Sequence, residues 1–549
     1  MARERWGSKL GIIMAVAGSA IGLGNFLRFP VQAAQHDPGA FMIPYFIAFF
    51  LLGLPLMWIE WTIGRMGGDL GHSTAPGMFG VLWKKSRFIK YVGALGIFGP
   101  IVIFIYYIYV ESWLLGYAFF SLLGTYSSCA SEQDLVDFLR GYQGLAANQH
   151  FSGLATAYVF FIITFGLNLC VISLGIRRGI EKTCTYLLPA LAVFAVVLAI
   201  RTLCLGAPDP DKPEYNVLNG LGFLWNPNWA ALKDAKVWLA AAGQIFFTLS
   251  VGIGVILTYA SYLTPRDDVA LSGLTAASAN EVAEVILGGS IVIPAAFAFF
   301  GPTVTARIAH GGTFDLAFVT MPLVLKGVAF DKVLGFLWFM LLFFAAITSS
   351  ISLAQPFIAF LQDEFRLSRG KAVAIFAFAT FVLTQACIFF IGNGVIDELD
   401  FWGGTVALVV FATVETILFS WIFGMDDAWS ELHRGCAMKV PRFYRVIIKY
   451  VTPVFLLVIL CFWLFQKPVA MLFNRIERLA ATDASGGYVK VLISWISDDV
   501  VPMLLMKDRP AEHLFYLWGT RVGLIVLFTV LAALVWLASR RKNLRSSIP

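Results

Sequence analysis

Charged residues are scarce in this sequence. Asp, Glu, Lys and Arg make up 13% of its 549 residues, against about 25% in soluble domains, while 59% are hydrophobic. So little charge cannot clothe a water-facing surface, which excludes a soluble globule and leaves a polytopic membrane protein with the lipid bilayer as its partner. Histidine is rarer still. The six histidines fall in predicted loops or at the ends of apolar runs, so no His pair stands at membrane depth to hold a haem or a catalytic metal. The seven cysteines lack paired metal-ligand spacing. Cys170, Cys184, Cys387 and Cys461 lie within apolar runs, where packing is the ordinary role, and the loop positions of Cys129 and Cys204 leave a disulfide between them open. Neither a nucleophile–base pair nor a metal motif appears, which disfavours an enzyme and an organic cofactor. A separate cleavable leader is also missing from the reading, because the first apolar run begins at Leu10 and continues unbroken in composition.

What is abundant is apolar sequence. Runs long enough to cross a hydrocarbon core of about 30 Å are expected near 10–35, 41–63, 91–122, 154–174, 183–205, 238–262, 269–300, 333–361, 371–391, 395–423, 447–466 and 515–539. That predicts an all-α integral membrane protein of about 12 spans, a single domain over 1–549. Basic residues favour the cytoplasmic side, and with both termini inside, Arg5, Lys9, Lys84, Lys85, Arg177, Arg178, Arg366, Arg369 and the tail Arg540-Arg541-Lys542 all fall there. Outer loops are then acidic, as at Glu132, Asp134 and Asp137; only 467–514, with Lys467, Arg475, Arg478 and Lys490, departs from the pattern. The net charge of +6 follows from topology, and a nucleic-acid partner has no support.

Two runs about 230 residues apart break at their middles in the same way: Ser19-Ala20-Ile21-Gly22-Leu23-Gly24-Asn25 and Thr248-Leu249-Ser250-Val251-Gly252-Ile253-Gly254. In hydrocarbon, backbone that stops being helical is tolerated only where protein or a polar cavity satisfies it. Single glycines of this kind often do no more than let helices approach. A matched pair in the two halves of a chain, with hydroxyls and an amide beside both, points instead to the midplane site of a secondary transporter. The half-helix that follows a break presents free N–H groups and a positive dipole end, which suits a carboxylate.

Acids within spans are costly and are functional candidates by default. Glu60, Glu111 and Glu415 read first as acceptors for exposed backbone N–H groups or as partners of a buried base. Glu284 stands one helical turn after Asn280, so the two share a face and could serve a cation. A third cluster, Ala345-Ala346-Ile347-Thr348-Ser349-Ser350, carries three hydroxyls in a row. Each alone would bond back to its own helix, but together they offer small oxygen ligands of the kind hard cations take.

These motifs, with Phe26-Leu27-Arg28-Phe29-Pro30, Tyr106-Tyr107, Gln244-Ile245-Phe246-Phe247 and Asn280-Glu281, resemble the neurotransmitter:sodium symporter family and, within it, the bacterial leucine transporters. The likeness runs in register over nearly all of 1–466 and again over the last span. It implies two five-helix repeats of inverted topology, over 1–205 and 235–423, with the first and sixth spans broken, then two further helices within 445–539 around a long outer loop at 467–514. It implies a sodium-coupled, chloride-independent symporter of neutral, hydrophobic L-amino acids in a cell membrane, a bacterial inner membrane being the expected location, and leaves a homodimer open. One sodium ion would be held by Ala20, Asn25, Thr248, Asn280 and the substrate carboxylate, and a second by Gly18, Ile21, Ala345, Thr348 and Ser349. The substrate would meet Ser19, Ala20, Gly22, Gly24, Ile103, Tyr107, Phe247, Thr248, Ser250, Ile253, Ser349 and Leu353. Arg28 and Asp400 would latch the outside above a lid of Tyr107 and Phe247; Arg3 and Asp363, near Ser261 and Tyr262, would latch the inside. Glu284 would supply the negative charge that chloride gives to relatives with a small polar residue there, and would carry a proton on the return step.

Some positions depart from the family pattern. Ser19 stands where the leucine transporters have Asn and amine transporters Asp, so a counter-ion for a monoamine is missing. Ile103, Ile253 and Leu353 change the size of the pocket, and one methylene is worth only about 1–3 kcal/mol of preference. A channel would need a continuous polar pore lining, which the Tyr107–Phe247 lid interrupts. A sensor that binds the amino acid on the same scaffold without turnover is the alternative reading.

Overall fold

In the computed structural model, residues 4–36, 38–311, 313–461 and 510–546 are described. Among them every regular element is helical and none is a strand. The membrane-crossing elements are α1 (Lys9–Ala20), α2 (Gly24–Gln35), α3 (Gly39–Asp69), α4 (Ile89–Leu123), α5 (Ala155–Ser173) and α6 (Ile176–Leu203). They continue as α7 (Ala235–Thr248), α8 (Val255–Ala260), α9 (Val269–Arg307), α10 (Asp331–Phe365), α11 (Arg369–Phe389), α12 (Val395–Ile422), α13 (Phe443–Cys461) and α14 (Ala511–Ser546). Ten of these are long and apolar enough to span alone, and α1 with α2, bent by 45°, makes an eleventh. The pair α7–α8 has halves of 14 and 6 residues, too short to count separately, yet it is the second interrupted segment that the glycine pattern anticipates.

Both breaks have local causes. The first half of the leading segment ends at Ile21, whose N–H still bonds to the Ala17 carbonyl while its ψ of 92° turns the chain out of the helix. The second break turns on three left-handed residues, Ser250, Gly252 and Gly254. Gly254 admits no side chain, because a Cβ would stand 2.5 Å from the Gly96 carbonyl oxygen of α4. The N–H freed at Gly252 is taken by the Glu60 carboxylate of α3, and Glu415 of α12 lies against Glu60. Glu111 differs from expectation: its partner is the side-chain amide of Asn168, at 2.8 Å, because α5 brings that amide to the same depth.

The broken segments form the centre. α1 packs on α6, α9 and α10, α8 on α3, and α10 along α4. The apolar windows of α4 and α10 are 83% and 78% buried by protein, that of α14 only 22%, so α14 is peripheral and meets lipid over most of its surface. Several sequence bounds are extended, among them the end of α3 at Asp69 against 63 and both ends of α14. α6 begins at Ile176, ahead of the expected 183, since Arg177, Arg178, Glu181 and Lys182 occupy its first turns, where hydropathy cannot register a helix. α9 runs on to Arg307 across a kink at Gly301.

All seven cysteines are free, so Cys129 and Cys204 form no disulfide. Cys184 and Cys387 are buried as expected, whereas Cys170 and Cys461 are exposed on outward faces and do not pack the interior. The outer loop at 467–514 lies outside the described residues as far as 509.

Candidate functional site

A cavity of about 40 Å³ lies where the two breaks meet α4 and α10. Its wall contains Ser19, Ala20, Gly22, Gly24, Ile103, Tyr107, Phe247, Thr248, Ser250, Ile253, Ser349 and Leu353, which are the residues the family resemblance assigned to substrate. Leu23, Ser352 and Leu408 complete it. Ser352 stands one turn beyond Ser349 on α10, a spacing that could have marked it. Leu408 sits in an apolar stretch of α12 with no local signal. The Ser19 hydroxyl lies 2.7 Å from that of Ser352, and the Ser250 hydroxyl donates to the Ser19 carbonyl at 2.9 Å. One end of the cavity is therefore polar backbone and hydroxyl, and the other is Ile103, Ile253, Leu353 and Leu408.

Glycine is required at the polar end. A Cβ on Gly22 would stand 2.9 Å from the Ser349 hydroxyl and 3.4 Å from that of Tyr107, inside the cavity; one on Gly24 would stand 2.8 Å from the Phe247 ring. The missing side chains are the room in which a ligand's own backbone atoms can approach the chain.

Beside the cavity, oxygen atoms converge. The Asn280 amide lies 2.8 Å from the amide of Asn25, 3.0 Å from the Thr248 hydroxyl, and 3.3 Å from the carbonyl oxygens of both Ala20 and Thr248. All these residues are buried. A second group forms around α10: the Ser349 hydroxyl is 3.1 Å from the Ala345 carbonyl oxygen, 3.1 Å from that of Ser19 and 3.4 Å from that of Gly18. Thr348 bonds back to its own helix at Phe344 and Ala345, at 2.9 and 3.1 Å. Carbonyl, hydroxyl and amide oxygens without formal charge suit a monovalent hard cation. Among the described residues no group of three or more His, Cys, Asp or Glu converges.

Glu284 sits behind the first oxygen group, fully buried. It accepts from the Gln244 amide at 2.7 Å, from the Asn25 amide at 3.2 Å, and from the Thr248 hydroxyl. The Glu284 side chain thus touches two members of the oxygen group, Asn25 and Thr248, and Gln244 beside it.

The model of the sodium:neurotransmitter symporter family matches residues 3–135 and 137–476. This chain belongs to that family. The symporter is 29% identical to an uncharacterized sodium-dependent transporter of Methanocaldococcus jannaschii, over 83% of this chain and 89% of that one. It is 26% identical to the sodium-dependent nutrient amino acid transporter 1 of Drosophila melanogaster, over 83% of this chain and 77% of the relative. Among solved structures, MhsT in complex with L-phenylalanine superposes with a TM-score of 0.71 at 27% identity, covering 83% of this chain and 99% of MhsT. The protein is a multi-pass, sodium-dependent membrane transporter, and its family is not one of enzymes.

On one side of the symporter's cavity, Arg28 and Asp400 are near the same tyrosine but make no ion pair among the described residues. The Arg28 guanidinium lies 4.3 Å from the centre of the Phe247 ring, and Asp400 accepts from the Tyr106 hydroxyl at 2.5 Å. Each charge has an aromatic neighbour. On the opposite side Arg3 lies outside the described residues, so its pairing with Asp363 is not on view. Asp363 faces Tyr262, whose hydroxyl accepts from Gln355 at 2.8 Å, and Ser261 turns back to the Thr258 carbonyl at 2.7 Å. Further contacts there join residues the sequence did not single out. Glu4 pairs with Arg369 of α11 at 3.4 Å, the Trp6 ring nitrogen donates to the Tyr259 carbonyl at 2.9 Å, and the Gly7 N–H donates to Glu181 of α6 at 2.7 Å.

Proposed function

We propose that this chain carries a neutral, hydrophobic L-amino acid together with Na⁺ by alternating access, and does so without chloride. The observation that carries the reading is the meeting of Ala20, Asn25, Thr248 and Asn280 at the polar end of the cavity. A substrate carboxylate there would complete the shell of one ion, so that ion and substrate each strengthen the other's binding. A second ion would sit against Gly18, Ile21, Ala345, Thr348 and Ser349 and hold α1 to α10, the contact that must loosen when the inner side opens. The leucine, isoleucine and phenylalanine walls support a hydrophobic side chain, as does the phenylalanine bound by MhsT. Glu284 supports independence from chloride, because a buried carboxyl group that can supply a negative charge already stands behind the first ion group. Arg28, Asp400 and the Tyr107–Phe247 lid would close the outside, and the Glu4–Arg369 strap the inside, with both termini in the cytoplasm. Repeats over 1–205 and 235–423 would supply the two-fold relation of the halves.

The test is uptake of labelled hydrophobic amino acids, one at a time, into proteoliposomes with an inward Na⁺ gradient or equal K⁺, in chloride-free buffer. Accumulation with Na⁺ alone is expected. Na⁺-promoted binding without accumulation, in correctly folded protein, would replace transport by ligand sensing.

A further inference from the structure

A second cavity is larger than the central one. A cavity of about 240 Å³ opens between α4, α11, α12 and α14, six times the volume of the pocket between the breaks. Its rim carries Phe515, Phe390 and Leu383, which are 80%, 40% and 37% exposed and so face hydrocarbon in a membrane. Its floor is Ile105, Val395 and Leu399, each buried. It is a slot that runs from the lipid surface inwards, not a flat face.

The slot is built by glycine. Gly519 and Gly523 stand one turn apart on α14, the spacing that normally lets two membrane helices touch. Here a Cβ on either would meet nothing within 4 Å, so the two residues leave space rather than close contact. Apart from the Tyr516 phenol the wall offers a polar guest little, since the Thr520 hydroxyl donates to the Tyr516 carbonyl at 2.8 Å. Apolar cavities of about 150 Å³ stay dry and take a benzene-sized guest, because the lining otherwise forfeits its contacts.

The geometry points to a binding site for an acyl chain of a bilayer phospholipid in this slot. In a membrane the acyl chain is the solvent at the rim, so mass action favours it over any scarce partner. The site also adjoins the outer gate. Leu399 of the floor lies between Glu398, which binds Arg521 of α14, and Asp400, which binds Tyr106. An acyl chain against Leu399 therefore braces the turn of α12 that presents Asp400.

The full chain would be reconstituted in vesicles doped with a phosphatidylcholine that carries a diazirine midway along one acyl chain, irradiated, and mapped by mass spectrometry. Adducts at Leu383, Phe390, Val395 and Leu527 are expected in several-fold excess over the lipid-facing Val159, Ile162 and Leu167 of α5. The excess should vanish in Gly523→Leu while α5 labelling stays constant. Gly519→Leu serves as a second filling variant if the first does not elute as a monodisperse species. Equal labelling of slot and α5, or an excess that survives both variants, would overturn the site. Cross-links between two copies at the slot in place of lipid adducts would overturn it too, by assigning the slot to a dimer contact.

Discussion

At Gly22 the argument is steric. Its missing side chain leaves the volume bounded by Ser349 and Tyr107, and Gly22→Ala should weaken amino-acid binding at least about tenfold, about 1.4 kcal/mol, with the fold intact. Equilibrium binding of labelled substrate in saturating Na⁺ checks this, and unchanged affinity would mean that the substrate backbone sits elsewhere. Glu284 carries an electrostatic argument. Glu284→Ser removes the buried charge but keeps a small donor and acceptor, so uptake should become dependent on added Cl⁻; indifference to Cl⁻ would remove Glu284 from the role. The residues at the breaks were legible in the sequence because Gly, Ser and Asn at membrane depth have few other reasons to be there. Leu408 was not, since one leucine in an apolar helix looks like any other. The aromatic partners of Arg28 and Asp400 were not legible for a different reason. Each charge has an aromatic competitor, Phe247 and Tyr106, which enters only once the helices are packed.

At the scale of elements, the second break depends on a group from another helix. The Glu60 carboxylate receives the Gly252 N–H, and both residues lie away from water in the interior. Glu60→Ala would leave that N–H buried without an acceptor, at a cost of about 1–3 kcal/mol, whereas Glu60→Gln keeps an oxygen in place. Thermal unfolding in detergent should show a clear drop for the alanine variant and a smaller one for glutamine. Equal melting of Glu60→Ala and the parent protein would show that the break is satisfied in some other way. That an acid in the third element would serve backbone N–H groups followed from the cost of charge in a membrane. Which N–H it serves did not, because the contact joins positions 192 residues apart. The start of α6 was hidden for the opposite reason: its first turns are charged and carry no apolar signal.

Across the whole molecule, the segment before α1 ties three parts together. Glu4 reaches Arg369 of α11, Trp6 reaches Tyr259 of α8, and Gly7 reaches Glu181 of α6. Tyr107 and Phe247 line the central cavity itself, whereas the strap ties together helices around it. Arg369→Ala removes one tie, and the amides of residues 4–8 should then exchange hydrogen faster in Na⁺ buffer. Unaltered protection would show that the strap is held by its remaining ties, Glu4 to the Ile176 N–H, Trp6, Gly7 and Ser8. The central claim is that the two breaks form one site in which ion and amino acid share ligands. Substrate affinity measured against Na⁺ concentration at equilibrium, in the parent protein and in Asn280→Ala, tests it most directly. The account predicts an affinity that rises steeply with Na⁺ and a dependence that is blunted in the variant. An affinity independent of Na⁺ in the parent protein would contradict it.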